Sequence, residues 1–590
     1  MTSPNDYRRQ LLQAVSCGLL SLATALATTA RLRADNVYDY LPEDALGCVS
    51  IRNLAVLDAK VQKLTELFEA PLPAPLTFLK LTTGLGEGLD TKGDMLLALL
   101  PGDAPASPPE PIVLLPVTDY RVFAESIGGD VSGEICRVTI TGEDVLLAND
   151  RGYAMLMDIE NRETLELILE LKPSPVLELQ SLTPWLAKND ITVTIMPAGA
   201  KLLLKLGSDG LAEAGKLFES RSNNAQLADN LAGMQAGFGV YQTMLDFVGE
   251  EVELVSWGLS IDENLNLRLG KRALLQKDGS LSQAGPISAS SSSVFKGFID
   301  QPFVLAGGGP FPESWSVGLA KASSKMIRGM KEFYGLEELE DKEWEELERS
   351  YATMMRGLNS ISMIMVPGDE GEPLFSSFYG VVGTADAAQY LKSYQAAAET
   401  YNRIMSQSTR LKMEYEVKPT SVAGKQACEL TMDIAAMMQD PNVPQFNWML
   451  ESMFGEDGKV HYLVVATNSD TLAFSMGAEE KLTPLLEGID KGEMGLARNA
   501  EVVTAMSHLQ AEAPWKLLIS PAGCVQWAER FANEFLGDLT GQTMDFPDFP
   551  TCPPVGFSMH LVDSRVEGDM VWPVETLKAL AAYIKTCQSL

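Results

Sequence analysis

One stretch occurs twice in this chain and limits what it can fold into. Residues 190–219 read DITVTIMPAGAKLLLKLGSDGLAEAGKLFE, and a variant returns at 514–536 as PWKLLISPAGCVQWAERFANEFL. In both copies an apolar, β-rich run, 191–196 or 515–519, stops at a proline, Pro197 or Pro521. Proline has a fixed φ and no N–H to give to a ladder, which suits a strand end. Gly199 or Gly523 follows, and then a helical pattern begins. Each copy therefore reads as a strand, a Pro-Ala-Gly corner and a helix, with Pro197, Gly199, Pro521 and Gly523 as structural corners of the repeat. The recurrence predicts a chain built twice.

Weaker matches follow in the same order. Residues 298–306 stand where 41–50 stood, 374–384 and 387–394 answer 112–118 and 120–126, and 460–468 with 471–476 answer 144–149 with 152–157. Asn149 and Ala154 match Asn468 and Ala473 at one offset. The expected fold is α+β, with two homologous halves, each an antiparallel β-sheet packed with helices. A signal peptide occupies 1–34, the first half 35–279, a serine-rich linker 280–296 and the second half 297–590. The second half is expected to carry helical insertions near 315–357 and 395–458. The first includes the acidic run EELEDKEWEELE, read as a solvated helix face. The second holds Met405, Met413, Met432, Met437, Met438, Met449 and Met453, read as filling for an irregular core. Gly84 to Gly88 and Gly307-Gly308-Gly309-Pro310 read as loops needing positive φ.

The balance of charge narrows the partners. With 46 basic and 79 acidic residues, 46 − 79 = −33, a chain of 590 residues repels nucleic acid and anionic headgroups and favours cations or basic partners. Arg8 and Arg9 precede an apolar stretch, 11–30, that has no acidic residue and ends in small residues, which is the layout of a secretory signal. The expected location is therefore exported, periplasmic or extracellular, with no membrane span after signal cleavage. Six cysteines would remain after cleavage, none at C-x-x-C spacing, and they read as buried free thiols.

Catalytic signatures are missing from the sequence. Its three histidines are His461, His508 and His560, so the first half cannot hold a histidine-based triad or zinc site. There is no H-E-x-x-H, no G-x-S-x-G and no G-x-x-x-x-G-K-[ST]. No cofactor-binding or metal residues are expected, and catalytic residues are unknown. A carboxylate pair stays open, because 79 acids offer many pairs and sequence selects none.

The signal, the opening YDYLPEDALGCVSIRNL and the alternating strand–helix halves resemble the large exported proteins of unknown function of planctomycete-type bacteria. That resemblance implies a periplasmic or surface location and a repeated α+β fold, and it supplies no catalytic residues. The expected function is an exported non-enzymatic binding or scaffolding protein whose partner is a protein or an apolar ligand. Alternatives are a periplasmic carrier of an apolar or lipid ligand and a carboxylate-based hydrolase. Any site is expected near the two Pro-Ala-Gly corners, at the pseudo-symmetric junction of the halves.

Overall fold

Strands paired far along the chain, rather than neighbouring hairpins alone, build both sheets of this protein. The computed structural model describes residues 37–68, 74–77, 84–85, 87–102, 107–170, 176–221, 238–239, 241–283, 287, 294–329, 331, 335–369, 371–408, 415–433, 451–455, 459–477, 479–534 and 544–589. The stretch read as a signal peptide, most of the serine-rich stretch, and Met413, Met437, Met438 and Met449 lie outside these residues. The chain forms two compact units, one running to Leu203 and including Glu253–Ala273, the other comprising Leu204–Val252 and Leu274 onward. The division thus falls at 203, 252 and 273, not within 280–296. Among the described residues no helix is long and apolar enough to cross a membrane.

The first unit contains β1 (Gly47–Ile51), β2 (Met95–Leu100), β3 (Glu110–Pro116), β4 (Ile135–Ile140), β5 (Glu143–Asp150), β6 (Tyr153–Asp158) and β7 (Ile191–Ile195). It also takes nearly all of β8 (Val252–Ile261) and β9 (Leu267–Leu275). The order is β4-β5-β6-β3-β2-β1-β7-β8, antiparallel throughout. β8 turns into β9 at Asp262, whose carboxylate accepts the N–H groups of Asn264 and Asn266. Central β1, GCVSI, is covered on both faces, which is why it is apolar without strict alternation. Helix α1 (Leu54–Phe68) buries Leu54 and Leu57 on a core with Phe123 and Leu147. Lys60 on α1 donates to Asp190 at 2.6 Å, and the other Asp190 oxygen accepts the Ile261 N–H at 2.8 Å, so one carboxylate ties α1, β7 and β8 together. Helix α2 (Tyr120–Ser126) starts at Asp119, which accepts the Val122 N–H, and α3 (Arg162–Glu170) follows β6.

The second unit contains β10 (Leu305–Pro310), β11 (Leu358–Met365), β12 (Phe378–Thr384), β13 (Tyr415–Val422), β14 (Lys425–Asp433), β15 (Lys459–Ala466), β16 (Thr471–Met476), β17 (Trp515–Ile519), β18 (Val555–Val562) and β19 (Arg565–Trp572). Their order is β13-β14-β15-β16-β12-β11-β10-β17-β18-β19, again antiparallel. Apart from its end strands β13 and β19, this is the strand order of the first unit. Even the register of the centre agrees, with Gly47 facing Ile195 and Leu305 facing Ile519. Phe298, Ala306, Ile364, Val465 and Leu518 form its core. Its helices include α5 (Glu313–Gly329), α6 (Asp341–Met355), α7 (Ala387–Met405), α8 (Glu479–Lys491) and α9 (Ala500–Ser507). Asp386 caps α7 by accepting the Gln389 N–H, as Asp119 caps α2.

Two expectations need correction. The insertion at 395–458 is not helical throughout, because β13 and β14 form a hairpin within it, and β14 holds the place in the order that β4 holds in the first unit. Gly307, Gly308 and Gly309 are not a positive-φ loop but part of β10. Their flanking strands come so close that a Cβ on Gly307 would strike the Lys516 carbonyl, one on Gly308 the Ile361 carbonyl, and one on Gly309 the Trp515 ring at 2.7 Å.

The repeated corners are tighter than the sequence suggests, since the helices begin at the prolines themselves. α4 (Pro197–Arg221) and α10 (Pro521–Ala532) open with proline in the first turn, where its missing N–H costs nothing. Ser520 caps α10 by accepting the Gly523 N–H. Gly199 and Gly523 lie inside that first turn, pressed on the chain entering the central strand, where a Cβ would overlap the Leu46 and Phe303 carbonyl oxygens respectively. Neither has a positive φ, so close approach alone selects glycine. Gly199→Ala and Gly523→Ala are each expected to lower stability by at least about 1–3 kcal/mol. Gly210→Ala, with open space around it on α4, is expected to raise stability by about 0.5–1 kcal/mol. Thermal melts of the three variants check this, and equal melts for all three would contradict it.

Candidate functional site

In the second unit a cleft of about 330 Å³ opens at one end of the central strands β10, β11 and β12. Three segments meet there: 297–302 leading into β10, 366–369 leaving β11, and the start of β12. Helix α8 adds Pro484 and Leu485, and α10 adds Gln526. The wall is largely apolar, made by Phe298, Ile299, Pro302, Val366, Pro484 and Leu485. Its polar groups are Gln301, Asp369, Tyr379 and Gln526. Tyr379 is only 7% exposed; its oxygen accepts from the Gln301 amide, and its ring meets Phe298 edge-on with centroids 6.4 Å apart. Burial raises the Tyr379 pKa above the ordinary phenol value, with the Gln301 bond opposing it, so the hydroxyl stays protonated at neutral pH.

Beneath this wall sits a buried cation. Gly368, at φ +78°, has no side chain where Arg530 Nη1 and Ser377 Oγ come close. Arg530 donates to the Pro367 carbonyl at 3.0 Å and to Glu534 at 2.9 Å, with its side chain 9% exposed. These bonds hold the 366–369 segment in place from below. On the cleft side, the Asp369 N–H donates to the Glu372 carboxylate at 3.2 Å.

A second cleft of about 180 Å³ in the same unit is lined by Phe375, Phe454, Met453, Met476, Ser376 and His461, among others. Phe375 and Phe454 stack at 5.7 Å, and Trp527 stacks on Phe531 at 5.5 Å. His461 Nδ1 lies 3.1 Å from a Glu429 oxygen. Helix α9 ends at Ser507, so His508 and Glu512 do not share a helix face. Among the described residues no group of three or more His, Cys, Asp or Glu stands together in a way that could hold a metal ion.

The first unit concentrates its polar groups in the core. Tyr38, Ser50 and Thr192 share hydroxyl bonds of 2.5, 2.9 and 2.7 Å, and Thr194 bonds Ser256 at 2.8 Å. Such buried hydroxyls satisfy one another and leave no acceptor or donor orphaned. Cys48 lies beside them, its thiol pushed up to about 12 by burial, with a Thr194 bond opposing. Asp94 is a half-buried carboxyl of this unit with a raised pKa. Burial drives the shift, Arg52 and the Asn53 N–H oppose it, and Asp90 adds to it. These two acids flank the turn before β2, and neither lines either cleft.

Of the four corner residues, Pro521 and Gly523 begin the helix whose Gln526 lines the larger cleft. Pro197 and Gly199 begin α4 and line neither cleft. Sequence reasoning missed Gln301, Asp369, Tyr379 and Gln526, which carry no local motif; the nearest signal was Pro367-Gly368-Asp369, a turn tripeptide after an apolar run. The six cysteines among the described residues are free, with Cys48, Cys136 and Cys428 buried and Cys587 exposed. A thiol reagent at pH 8 should therefore modify Cys587 quickly in the native protein and the three buried thiols only on unfolding; rapid native modification of Cys48 would refute that assignment. Compared with family models, with curated proteins and with solved structures, the chain shows no match.

Proposed function

We propose that the protein is an exported binding protein, assembled from two duplicated α+β halves, that holds a small ligand in the larger cleft of its second unit. The observation that carries this reading is the composition of that cleft, an apolar wall with a few convergent polar groups, the usual make-up of a small-molecule site. Its volume of about 330 Å³ is at the lower end of the roughly 300–1,000 Å³ found for such sites. The ligand is accordingly compact, which disfavours a long-chain lipid as cargo. A carboxylate-based hydrolase would need a second acid across the cleft, and among the described residues Asp369 is the one acidic residue lining it. Export rests on the Arg8-Arg9 signal layout, in keeping with the resemblance to exported planctomycete-type proteins. Duplication rests on the shared strand order and on the two Pro-Ala-Gly corners at one register.

Native mass spectrometry of the mature protein from its exported fraction, beside a denatured aliquot, tests the reading. A bound mass lost on denaturation is expected. Ile299→Trp, at a lining position 38% exposed, should fill the cleft without disturbing the core and weaken binding by about tenfold or more. A bare mass, together with unchanged behaviour of the Ile299→Trp protein toward added small molecules, would count against this function.

A further inference from the structure

We infer that the ligand of the larger cleft is an uncharged carbonyl compound with a compact apolar body, whose oxygen accepts hydrogen bonds from Arg530 Nη2 and Ser377 Oγ. This rests on the reading of that cleft as the ligand site. Arg530 borders the cleft through three residues that line it. Its Nη1 donates to the Pro367 carbonyl at 3.0 Å, it lies with Ser377 Oγ where a side chain of Gly368 would stand, and Gln526 precedes it by one turn on α10. Nε is bonded to Glu534 at 2.9 Å, but Nη2 is buried without a partner among the described residues. Ser377 Oγ is in the same condition, on a residue that is fully buried. Of the buried side-chain atoms left so among the described residues, Arg530 Nη2 is the one that belongs to a cation. A buried donor left unpaired is costly, so a ligand that brings an acceptor is favoured over one that brings none. Because both donors are buried, binding includes a small displacement of the 367–368 main chain, which glycine at φ +78° permits more readily than any other residue.

Charge decides which acceptor. Glu534, one turn beyond Arg530 on the chain, already balances the guanidinium. A ligand carboxylate would leave two anions on one buried cation, in a chain whose overall −33 also repels anions. An ammonium has donors and no acceptor, so it would leave Nη2 and Ser377 Oγ unpaired and set a second positive charge beside the first. A carbonyl oxygen has two lone pairs, one for each donor, and brings no charge. Asp369 and Glu372 are engaged elsewhere, each N–H donating to the other residue's oxygen at 3.2 Å within their own turn. The apolar wall, with Phe298, Ile299, Pro302 and Leu485, receives the body of the ligand.

The test uses the mature full-length protein and four probes of similar shape, acetophenone, ethylbenzene, benzoate and benzylamine, titrated by calorimetry at neutral pH. Acetophenone should bind about tenfold more tightly than ethylbenzene, which has no acceptor, and more tightly than either charged probe. Arg530→Met should remove the preference for acetophenone over ethylbenzene. Ser377→Ala, which takes away one unpaired hydroxyl and little else, should reduce it, and it decides the matter if Arg530→Met does not fold. Unchanged ethylbenzene binding in a variant shows that its cleft is intact. Equal affinities for acetophenone and ethylbenzene, as when a water alone completes these donors, or a preference that survives both substitutions, would overturn the inference while leaving the cleft as a binding site. Tightest binding of benzoate or of benzylamine overturns it too, by giving the ligand a charge. If no probe binds but the native protein carries a mass sensitive to Ile299→Trp, a mass without an uncharged carbonyl overturns the inference alone. If no probe binds and no such mass is present, the inference and the proposed function fall together.

Discussion

Two backbone hydrogen bonds organise the protein, from the Met196 N–H to the Leu46 carbonyl at 3.0 Å and from the Ser520 N–H to the Val304 carbonyl at 2.9 Å. Each carries the ladder of the central strand one residue beyond its end, so the chain leaving the next strand is still held when it turns into a helix. The proline that follows gives up an N–H no helix would have used, and the glycine in the same turn lets the helix lie directly on the carbonyl of the entering chain. In the second unit this contact puts α10 against the segment 297–302, and the cleft forms where they meet. The site therefore depends on the same glycine as the fold.

Much of the architecture was legible because it is local. β2, β6 and β16 occur where apolar runs are bounded by turns, and α2 and α7 start at aspartates that sequence pattern alone would choose as caps. What escaped was set by distant partners. β10 contains three glycines and a proline, a loop by composition, and is a strand because β11 and β17 pack too closely for side chains. β11 shows no clean alternation, its burial running as intermediate positions until Ile364 and Met365. The β13–β14 hairpin was hidden in a methionine-rich stretch whose composition favours helix and core alike. The cleft was illegible for the same reason, since it draws residues from 298, 369, 379 and 526 and no local spacing links them.

The shared strand order does not imply shared interior chemistry. At the register positions where the first unit places Ser50, Thr192 and Thr194, the second has Gly308, Lys516 and Leu518. The first unit ties its central strands together with a buried hydroxyl seam, whose cooperating hydrogen bonds favour one arrangement. The second achieves closeness by removing side chains. One unit thus has a polar seam at its centre, the other an apolar cleft at the ends of its central strands.

The assignment of residues to units has a consequence for inheritance. The chain leaves the first unit at Leu203, contributes Leu204–Val252 to the second, returns for Glu253–Ala273, and leaves again. A gene fragment ending at Leu203 would encode a sheet whose β7 edge lacks β8, a bare edge open to aggregation. A fragment starting at the serine-rich stretch would lack the 204–252 helices of its own unit. Neither unit can be passed on, shuffled into another protein or lost by a single clean cut. Recombination must therefore transmit the two as one piece, however much their interiors differ.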